Sequence, residues 1–421
     1  MARKRKIRRN RHSFSRRRRS RIPWKGIGTV LLLLILCGAG VFTAKWLKTT
    51  LDKKDTAPDT SAVSETTVTT AAVTTTTTAA EPQKPALPSL KTVHAFYMPQ
   101  ATLQDKKARQ AMVDNAVAAN LNAVVFDLKT ADGTVLYASS TDGAKKAACV
   151  SKSPLSKKDL TEFLDYCAEN GVRAIPRLCC FEDAIAADKM PDARVLYAGD
   201  ASYIWLDNTQ ARGGKPWLNP YSPEAHAYLQ GYVTELVSLG FTDVMLTGVQ
   251  FPNQTYAASF GSTKYSSMSK LDVLSKFVTD TKAVAKKADS AAEIIVCAPG
   301  LATFSDSTAA YGGNPLNFGA NAVSPLVFPD SLGRKLTVGK ETLRNPSDNP
   351  GKAVELALKQ MNLRVKLIDE KKQPLLIPFV QAYDVDEAAL KAELKSLRAQ
   401  NGKDAAFVLY DPSGNYTMKS Y

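Results

Sequence analysis

Histidine is scarce in this chain. Its 421 residues include three histidines, His12, His94 and His226, which lie far apart in the sequence. A zinc site built on several imidazoles therefore lacks its ligands, and a Ser-His-Asp triad would have to use His94 or His226. No glycine-rich loop of the dinucleotide-binding or phosphate-binding kind follows a predicted strand. We predict that the protein has no cofactor, and we assign no residues as metal ligands.

Cysteine is also sparse, and its number argues against a disulfide framework. One of the six cysteines lies in an apolar segment near the N-terminus. The others are Cys149, Cys167, Cys179, Cys180 and Cys297. Five is an odd number, and most of the five fall in predicted strands or helices. The pattern favours buried thiols that pack as small apolar side chains, with one surface pairing left open.

Acidic residues are missing from the first 25 positions, which hold 13 of the 55 Lys and Arg residues. The net charge of +15 therefore lies almost wholly in this tail, and the rest of the chain is nearly neutral. A nucleic-acid-binding domain carries positive charge across its folded surface, so we predict no nucleic-acid partner. The simplest role of the tail is to set membrane topology, and binding to anionic lipid or nucleic acid is the alternative.

A hydrophobic segment follows the tail and predicts a membrane anchor. The 19 residues from Gly26 to Ala44 carry no charge, and about 20 apolar residues suffice for a helix to cross the bilayer. We predict a transmembrane signal anchor at residues 26–47, with the tail at residues 1–25 in the cytoplasm and the rest outside the cell. The alternatives are a cleaved signal peptide ending near Gly38-Ala39-Gly40 and twin-arginine export through Arg16-Arg17.

Residues 48–90 are rich in Thr, Ala and Pro, and they have the composition of a linker. The run Thr74 to Thr78 is typical of this stretch, which contains few apolar side chains. Such a segment cannot bury enough surface to offset the entropy of ordering it. Extended at ~3.1 Å per residue, some 40 residues would reach roughly 120 Å. We therefore predict a disordered stalk between the anchor and a folded domain.

Residues 91–421 alternate between short apolar runs and longer amphipathic segments, which predicts a (β/α)8 TIM barrel. The predicted strands are Thr92–Tyr97, Ala123–Leu128, Arg173–Cys179, Asp243–Gly248, Glu293–Ala298, Ala322–Phe328, Leu375–Val380 and Ala405–Tyr410. The predicted helices are Gln104–Ala119, Lys157–Asn170, Pro223–Leu239, Lys270–Ala288, Gly351–Glu370 and Glu387–Gln400. In this fold the active site gathers at the C-terminal ends of the strands.

Acidic, basic and aromatic side chains collect at those strand ends. They are Asp127, Lys129, Arg177, Asp183, Trp217, Tyr221, Gln250, Gln381 and Tyr410. Acids that transfer protons, together with flat rings that stack on sugars, suit glycosidic chemistry. We therefore predict catalytic roles for the two acids and substrate binding by the other seven. A strand-end Asp can instead cap the next helix, and that alternative stays open for each acid.

Several of these motifs carry a family resemblance. They are Asn122–Lys129 with Asp132-Gly133, Arg177 with Phe181 and Asp183, Trp217 with Pro220-Tyr221, Val249–Pro252, Ser324–Pro329, Pro378–Gln381, and Tyr410 with Tyr416. In order and spacing the series resembles the bacterial putative glycoside hydrolase domain family. The resemblance covers Thr92 to Tyr421 and implies a TIM barrel related to the α-amylase-like hydrolases.

The chain departs from that family where the resemblance implies catalytic acids. Thr247 stands where the resemblance implies the nucleophilic acid after the fourth strand, and no Asp is present near Ala298-Pro299-Gly300. Asn219 replaces another expected acid, and Ile377 and Ala382 replace an Arg and an Asp. A hydroxyl or amide cannot serve as a retaining nucleophile or a general acid at neutral pH.

Two hypotheses follow. In the first, the protein is a membrane-anchored extracellular glycoside hydrolase that acts on cell-wall or environmental polysaccharide, with Asp127 and Asp183 as the surviving acid/base candidates. In the second, it is a catalytically inactive barrel, a pseudoenzyme that binds carbohydrate or serves as a scaffold. The paired loss of expected acids favours the second slightly.

Overall fold

The computed structural model describes residues 86–253, 256–305 and 309–416. The basic tail, the predicted anchor at 26–47 and most of the predicted linker at 48–90 lie outside the described residues. Within the described ranges, no helix combines the length and the apolar character needed to cross a membrane.

Eight parallel strands close into a barrel, as the sequence predicts. In chain order they are β1 His94–Met98, β2 Ala123–Lys129, β3 Arg173–Cys179, β4 Asp243–Thr247, β5 Glu293–Pro299, β6 Ala322–Val327, β7 Leu375–Leu376 with Phe379–Gln381, and β8 Phe407–Tyr410. Each strand pairs with its neighbours in chain order, and β1 closes the ring by pairing with both β2 and β8. The (β/α)8 fold is therefore confirmed.

The strands are nearly continuous apolar runs because both of their faces are covered. Ala95, Val125, Ile175, Met245 and Ile295 belong to one buried cluster that fills the barrel. The residues between them along the strands belong to a second cluster, which packs against the helices.

In the part of the chain that the structure describes, six longer helices surround the barrel. They are α1 Lys106–Ala118, α2 Lys157–Glu169, α3 Pro223–Ser238, α4 Lys270–Ala288, α5 Pro350–Val365 and α6 Glu387–Asn401. Their starts carry side-chain caps of the kind that satisfy unpaired helical N–H groups. At α2, for example, Ser156 and Asp159 form a reciprocal capping box. Within the described residues, the connection from β5 to β6 contains short 3-10 turns at Gly300–Thr303 and Pro315–Asn317 in place of a long helix.

Two elements differ from their predicted bounds for clear reasons. Strand β7 was predicted as one run but is interrupted at Ile377-Pro378, because proline has no N–H to donate to the ladder with β6. Helix α5 ends at Val365, five residues before the predicted Glu370. Beyond its end Leu367 is 78% exposed, so the extra turn would gain little of the packing on which helices in proteins depend.

The connections that follow β1, β2, β3, β4 and β6 add smaller elements. Short helices lie at Gln100–Gln104, Asp142–Ala147 and Ala184–Lys189. Two strands, Val135–Tyr137 and Val150–Leu155, extend the sheet beside β2. A hairpin is formed by Lys335–Val338 and Glu341–Arg344. Strands Leu196–Tyr197 and Ala258–Ser259 pair antiparallel, and Leu196 also bridges Ile204. We call these last three short segments the accessory sheet.

The five cysteines in the described part of the chain are free and buried, which confirms the prediction of packed thiols. Burial raises the pKa of the Cys167 thiol to about 12. A thiol with so high a pKa is almost entirely protonated at neutral pH and is a poor nucleophile.

Candidate functional site

An ion pair lies at the C-terminal ends of β2 and β3. Arg177 Nε donates to Asp127 Oδ1 at 2.5 Å, and Arg177 Nη2 donates to Asp127 Oδ2 at 2.9 Å. The hydroxyl of Tyr97, from β1, donates to the same Oδ2 at 2.8 Å. The Asp127 and Arg177 side chains are 17% and 14% exposed. We call this part of the barrel the mouth; here a fork-shaped pair is held within reach of solvent.

The electrostatics of the mouth fix the protonation states of Arg177 and Tyr97. Burial opposes the charged form of Arg177, but the Asp127 carboxylate outweighs it and raises the guanidinium pKa above its ordinary value. Burial, reinforced by the neighbouring Asp127, raises the pKa of the Tyr97 hydroxyl. The guanidinium also lies over the Tyr97 ring, 5.0 Å from its centroid. Tyr97 therefore stays a neutral donor, and Arg177 stays charged.

Aromatic rings from β6, β7 and β8 form one wall of the mouth. Phe328 and Tyr410 stack with their centroids 5.3 Å apart and an interplanar angle of 22°. Tyr410 also lies 4.9 Å from Tyr97, and Tyr383 meets Phe328 edge to face at 5.7 Å. The Tyr383 hydroxyl donates to Asp330 at 2.8 Å. This aromatic wall places the predicted binding residue Tyr410 beside the Asp127–Arg177 pair.

Thr247 and Cys297 occupy the ends of β4 and β5. Burial raises the pKa of the Cys297 thiol to about 11, and the charge of Asp127 adds to the shift, whereas Arg177 and a hydrogen bond from the Thr247 side chain oppose it. The resemblance implied an acid at the position of Thr247. In its place the structure has a hydroxyl beside a protonated thiol. Neither group can replace a carboxylate as the nucleophile of a retaining glycosidase.

Glu182 is an acid at the mouth that sequence reasoning did not select. It follows β3 and is half-buried. Burial raises the pKa of its carboxyl group, Lys215 opposes that shift, and Asp207 adds to it. It flanks the end of β4, because a Cβ added to Gly248 would lie 3.7 Å from the Glu182 Cβ. Its only sequence signal is its position after a strand, a signal that it shares with Asp183.

Lys129 and Asp183 meet in the interior and not at the mouth. Lys129 Nζ lies 2.7 Å from Asp183 Oδ2, and neither side chain is exposed. Lys129 also donates to the Cys179 carbonyl at 2.7 Å, and Tyr228 donates to Asp183 at 3.0 Å. The other Asp183 oxygen caps the helix at Ala184–Lys189. These contacts describe a structural ion pair, so they disfavour the predicted acid/base role of Asp183 and the predicted ligand contact of Lys129, which stay predictions.

Trp217 and Tyr221 contact the connections beyond β3 and β4. Trp217 packs with Val195 and Trp205 against the accessory sheet. The Tyr221 ring lies 5.0 Å from Phe251, and its hydroxyl donates to the Met268 carbonyl at 3.2 Å. The structure thus buries Trp217 in a small aromatic core and does not place it among the Asp127 contacts. Its predicted role in binding stays a prediction.

The two predicted glutamines support neighbouring loops. Gln250 Oε1 accepts from the Tyr311 hydroxyl at 2.5 Å. Gln381 is 5% exposed, and it donates to the Tyr383 carbonyl at 3.3 Å and accepts from the Asp330 backbone N–H at 3.5 Å. Gln381 therefore fixes the loop that carries Tyr383 into the aromatic wall.

A further buried acid lies behind the barrel wall. Glu393 of α6 has no exposed surface, and neither of its carboxyl oxygens has a hydrogen-bond partner. Burial raises the pKa of this carboxyl group to about 8. It is therefore mostly protonated at neutral pH, which is the form an apolar environment tolerates.

Two other features bear on the location of the site. A cavity of about 510 Å³ lies at the opposite end of the barrel, where Lys91, Leu375 and Ala405 line it. Chemistry in this fold belongs to the C-terminal ends of the strands, so we place the candidate site at the mouth. Among residues 86–253, 256–305 and 309–416, no three His, Cys, Asp or Glu side chains come together as a metal-binding group.

Comparisons with known proteins match most of the chain to one family model. The family model described as "Putative glycosyl hydrolase domain" matches residues 95–416. Among solved structures, the chain is similar to a hypothetical protein from Ruminiclostridium thermocellum, with 23% identity, a TM-score of 0.39, and coverage of 48% of this chain and 96% of that one. It is also similar to the β-amylase catalytic domain of Paenibacillus polymyxa, with 10% identity, a TM-score of 0.47, and coverage of 77% and 93%.

A third similar structure is the β-N-acetylhexosaminidase of Bacteroides fragilis, with 13% identity, a TM-score of 0.45 and 76% of this chain covered. The match spans 60% of the length of that enzyme, which is less than two thirds. Curated protein sequences gave no match.

Proposed function

The chain belongs to the family of putative glycosyl hydrolase domains, and we propose that its barrel mouth binds a cell-wall or environmental polysaccharide without cleaving it. The observation that best supports this proposal is the set of contacts that Asp127 makes. Both of its oxygens are engaged, by Arg177 at 2.5 and 2.9 Å and by Tyr97 at 2.8 Å. A carboxylate whose two oxygens are both occupied has to leave these partners before it can attack a substrate or accept a proton.

The aromatic wall supports a sugar as the ligand. Tyr410 and Tyr383 are partly exposed, and their ring centroids lie 6.2 Å apart. Tyr410 also contacts Tyr97, which donates to Asp127 of the polar pair. Ligand sites typically combine apolar rings that supply contact area with a few polar groups that fix orientation. Pyranose rings present C–H faces for stacking and hydroxyl edges for hydrogen bonds, and this mouth offers both kinds of partner.

Hydrolysis is the second candidate, and Glu182 favours it. Its raised carboxyl pKa is the property required of a general acid. In that case Asp127 would act as the base or nucleophile and would have to leave Arg177 during the reaction. Asp183 would have to break its buried contact with Lys129, which makes Glu182 the better acid.

The proposed location is the outer face of the cell membrane. The uncharged run from Gly26 to Ala44, preceded by a tail rich in Lys and Arg, supports a single-pass anchor with a cytoplasmic N-terminus. The Thr-rich segment at 48–90 would then separate the barrel from the bilayer.

The test combines a binding assay and a turnover assay on the full-length chain in detergent. A panel of soluble oligosaccharides derived from peptidoglycan, chitin, β-glucan and xylan is offered, and binding and released reducing sugar are both measured. We expect binding without turnover. Tyr410→Ala should weaken binding by roughly 2- to 10-fold, the range of a single aromatic contact, and Tyr410→Phe should retain most of it.

The control and the contrary outcome use Glu182. Glu182→Gln removes the acid but keeps its size, and binding should not change. Turnover by the wild type that Glu182→Gln abolishes would establish the hydrolase and refute the non-catalytic reading. A wild type that neither binds nor cleaves any member of the panel would refute both candidates.

A further inference from the structure

The exposed aromatic side chains of the described residues are concentrated in one place. Tyr197, Tyr203 and Tyr256 are 41%, 65% and 38% exposed. All three lie in or directly beside the accessory sheet. The other large apolar side chains that reach comparable exposure are aliphatic and lie on separate elements. A cluster of exposed rings on one small sheet differs from the scattered exposure that is ordinary for soluble proteins.

The strand register places Tyr197 and Tyr203 on one face, and Tyr256 lies beside the same sheet. Leu196 bridges Ile204, and the Tyr197 N–H donates to the Tyr203 carbonyl at 3.0 Å, so Tyr197 lies opposite Tyr203. On its other side Tyr197 pairs with Ala258. Residues opposite each other in an antiparallel pair share a face, and so do residues two apart along a strand. Tyr256 lies two residues before Ala258, at a bend directly beside the paired strand.

The same face is anchored at its base. Trp205 donates its backbone N–H to the Val195 carbonyl at 3.1 Å, which places both on the tyrosine face, where they pack with Trp217. The Trp205 indole N–H donates to the Tyr256 carbonyl at 3.0 Å. The Tyr197 ring lies so close to Gly199 that a Cβ added there would be 2.5 Å from it. The exposed rings thus extend from a rigid aromatic core.

The accessory sheet borders the mouth. It is built from the connections that follow β3 and β4, whose ends carry Glu182 and Thr247. Lys215 and Asp207, from the same connection as Tyr203, act electrostatically on Glu182. Asp207 also accepts from the Trp217 indole N–H at 3.3 Å. A polymer that leaves the mouth on this side would pass over or beside the sheet.

We propose that Tyr197, Tyr203 and Tyr256 form a platform that stacks against the sugar rings of a polysaccharide chain outside the mouth. The platform carries no charged side chain, and each phenol offers a flat apolar face with a hydroxyl at its rim. Cross-strand neighbours such as Tyr197 and Tyr203 stand about 5 Å apart, and with Tyr256 beside them the platform can contact more than one sugar ring. This inference rests on the proposed function, in which a glycan binds at the mouth. The platform would be the second place where the same polymer contacts the protein.

The experiment measures co-sedimentation of the full-length chain, in detergent, with insoluble peptidoglycan, chitin, cellulose and xylan. We expect at least one polymer to bind. Tyr203→Ala should weaken that binding by roughly 2- to 10-fold, and the double variant Tyr197→Ala/Tyr203→Ala should weaken it further. Tyr203→Phe should bind within about twofold of the wild type because stacking needs only the ring. Leu367→Ala, a truncation at a similarly apolar and even more exposed site away from the accessory sheet, is the matched control.

Equal binding by the wild type and the double alanine variant overturns the platform, and so does equal loss in Tyr203→Phe and Tyr203→Ala. Soluble oligosaccharides that bind at the mouth and depend on Tyr410, with no polymer bound, refute the platform and leave the proposed function intact. Failure of every glycan, soluble and insoluble, refutes both. Unchanged unfolding midpoints of the tyrosine variants show that a loss of binding is not a loss of fold.

Discussion

The buried pair of Lys129 and Asp183 offers a direct test of whether Asp183 is a structural or a chemical residue. Neither side chain is exposed, and their charged atoms lie 2.7 Å apart. Asp183→Asn keeps the shape of the side chain and removes its charge, so the Lys129 ammonium keeps only neutral partners in the interior. Breaking a buried pair in this way costs about 3–5 kcal/mol. Domains are typically stable by about 5–15 kcal/mol, so the variant should lose a large share of its stability.

Urea unfolding followed by circular dichroism measures this loss. Adding Lys129→Met to Asp183→Asn removes the orphaned charge, so the double variant should be more stable than the single one by a kcal/mol or more, on the order of the interaction energies of contacting residues. The matched control is Asp188→Asn. Asp188 and Lys189 form an ion pair whose side chains are 62% and 55% exposed, and losing such a pair changes stability by about 1 kcal/mol or less.

A variant Asp183→Asn that unfolds at the wild-type urea concentration would refute the reasoning. The same variant losing glycan turnover with unchanged stability would restore Asp183 as an acid/base candidate. Loss of stability with glycan binding retained at the mouth supports the structural role.

Three further predictions concern stability, each measured by urea unfolding. Gly133→Ala should cost several kcal/mol, because the added Cβ would lie 2.0 Å from Asp183 Oδ1 at a φ of +99°. The control Gly213→Ala, at a φ of +73° in open space, should cost only about 1–2 kcal/mol. Similar losses of stability in the two variants would contradict the packing argument. Glu393→Gln should gain stability relative to the wild type as the pH rises from about 4.5 to about 8, because the folded carboxyl group keeps its proton to about pH 8 and the unfolded one does not. The difference in unfolding free energy between the two proteins should change by at most about 1.4 kcal/mol per pH unit. A difference that does not depend on pH would contradict this prediction. Ser156→Ala should cost about 1 kcal/mol by removing the cap of α2, whereas an unchanged unfolding midpoint would show that the cap contributes nothing.

The barrel could be predicted because its signal is local and repeated. Each strand is a short apolar run such as Ala123–Lys129, and each helix carries an apolar stripe that ends near a glycine or begins at a cap. The accessory sheet had no such signal. Its paired strands, Leu196–Tyr197 and Ala258–Ser259, are two residues each and lie some sixty positions apart, too short to show alternation.

The candidate site was predicted in part. Asp127 and Arg177 lie at neighbouring strand ends, and the structure joins them. Lys129 is two residues after Asp127, so strict alternation would have put both on the same face. The register shifts between those two residues, as at a β-bulge, and Lys129 pairs with a buried Asp183. At the end of β3 the sequence could not tell which of Glu182 and Asp183 faces the mouth, because adjacent residues differ only in orientation.

The five buried, unpaired thiols make unfolding of the barrel chemically irreversible under oxidising conditions. While the chain is folded, an oxidant or alkylating reagent meets no exposed thiol among the described cysteines. A global opening exposes five of them together, and outside the cell an oxidising environment can then join them in pairs the fold does not contain. Each lasting unfolding event would therefore leave non-native disulfides that block refolding. At the proposed location on the cell surface, the durability of the protein would then depend on how rarely the barrel opens, which is a rate and not an equilibrium.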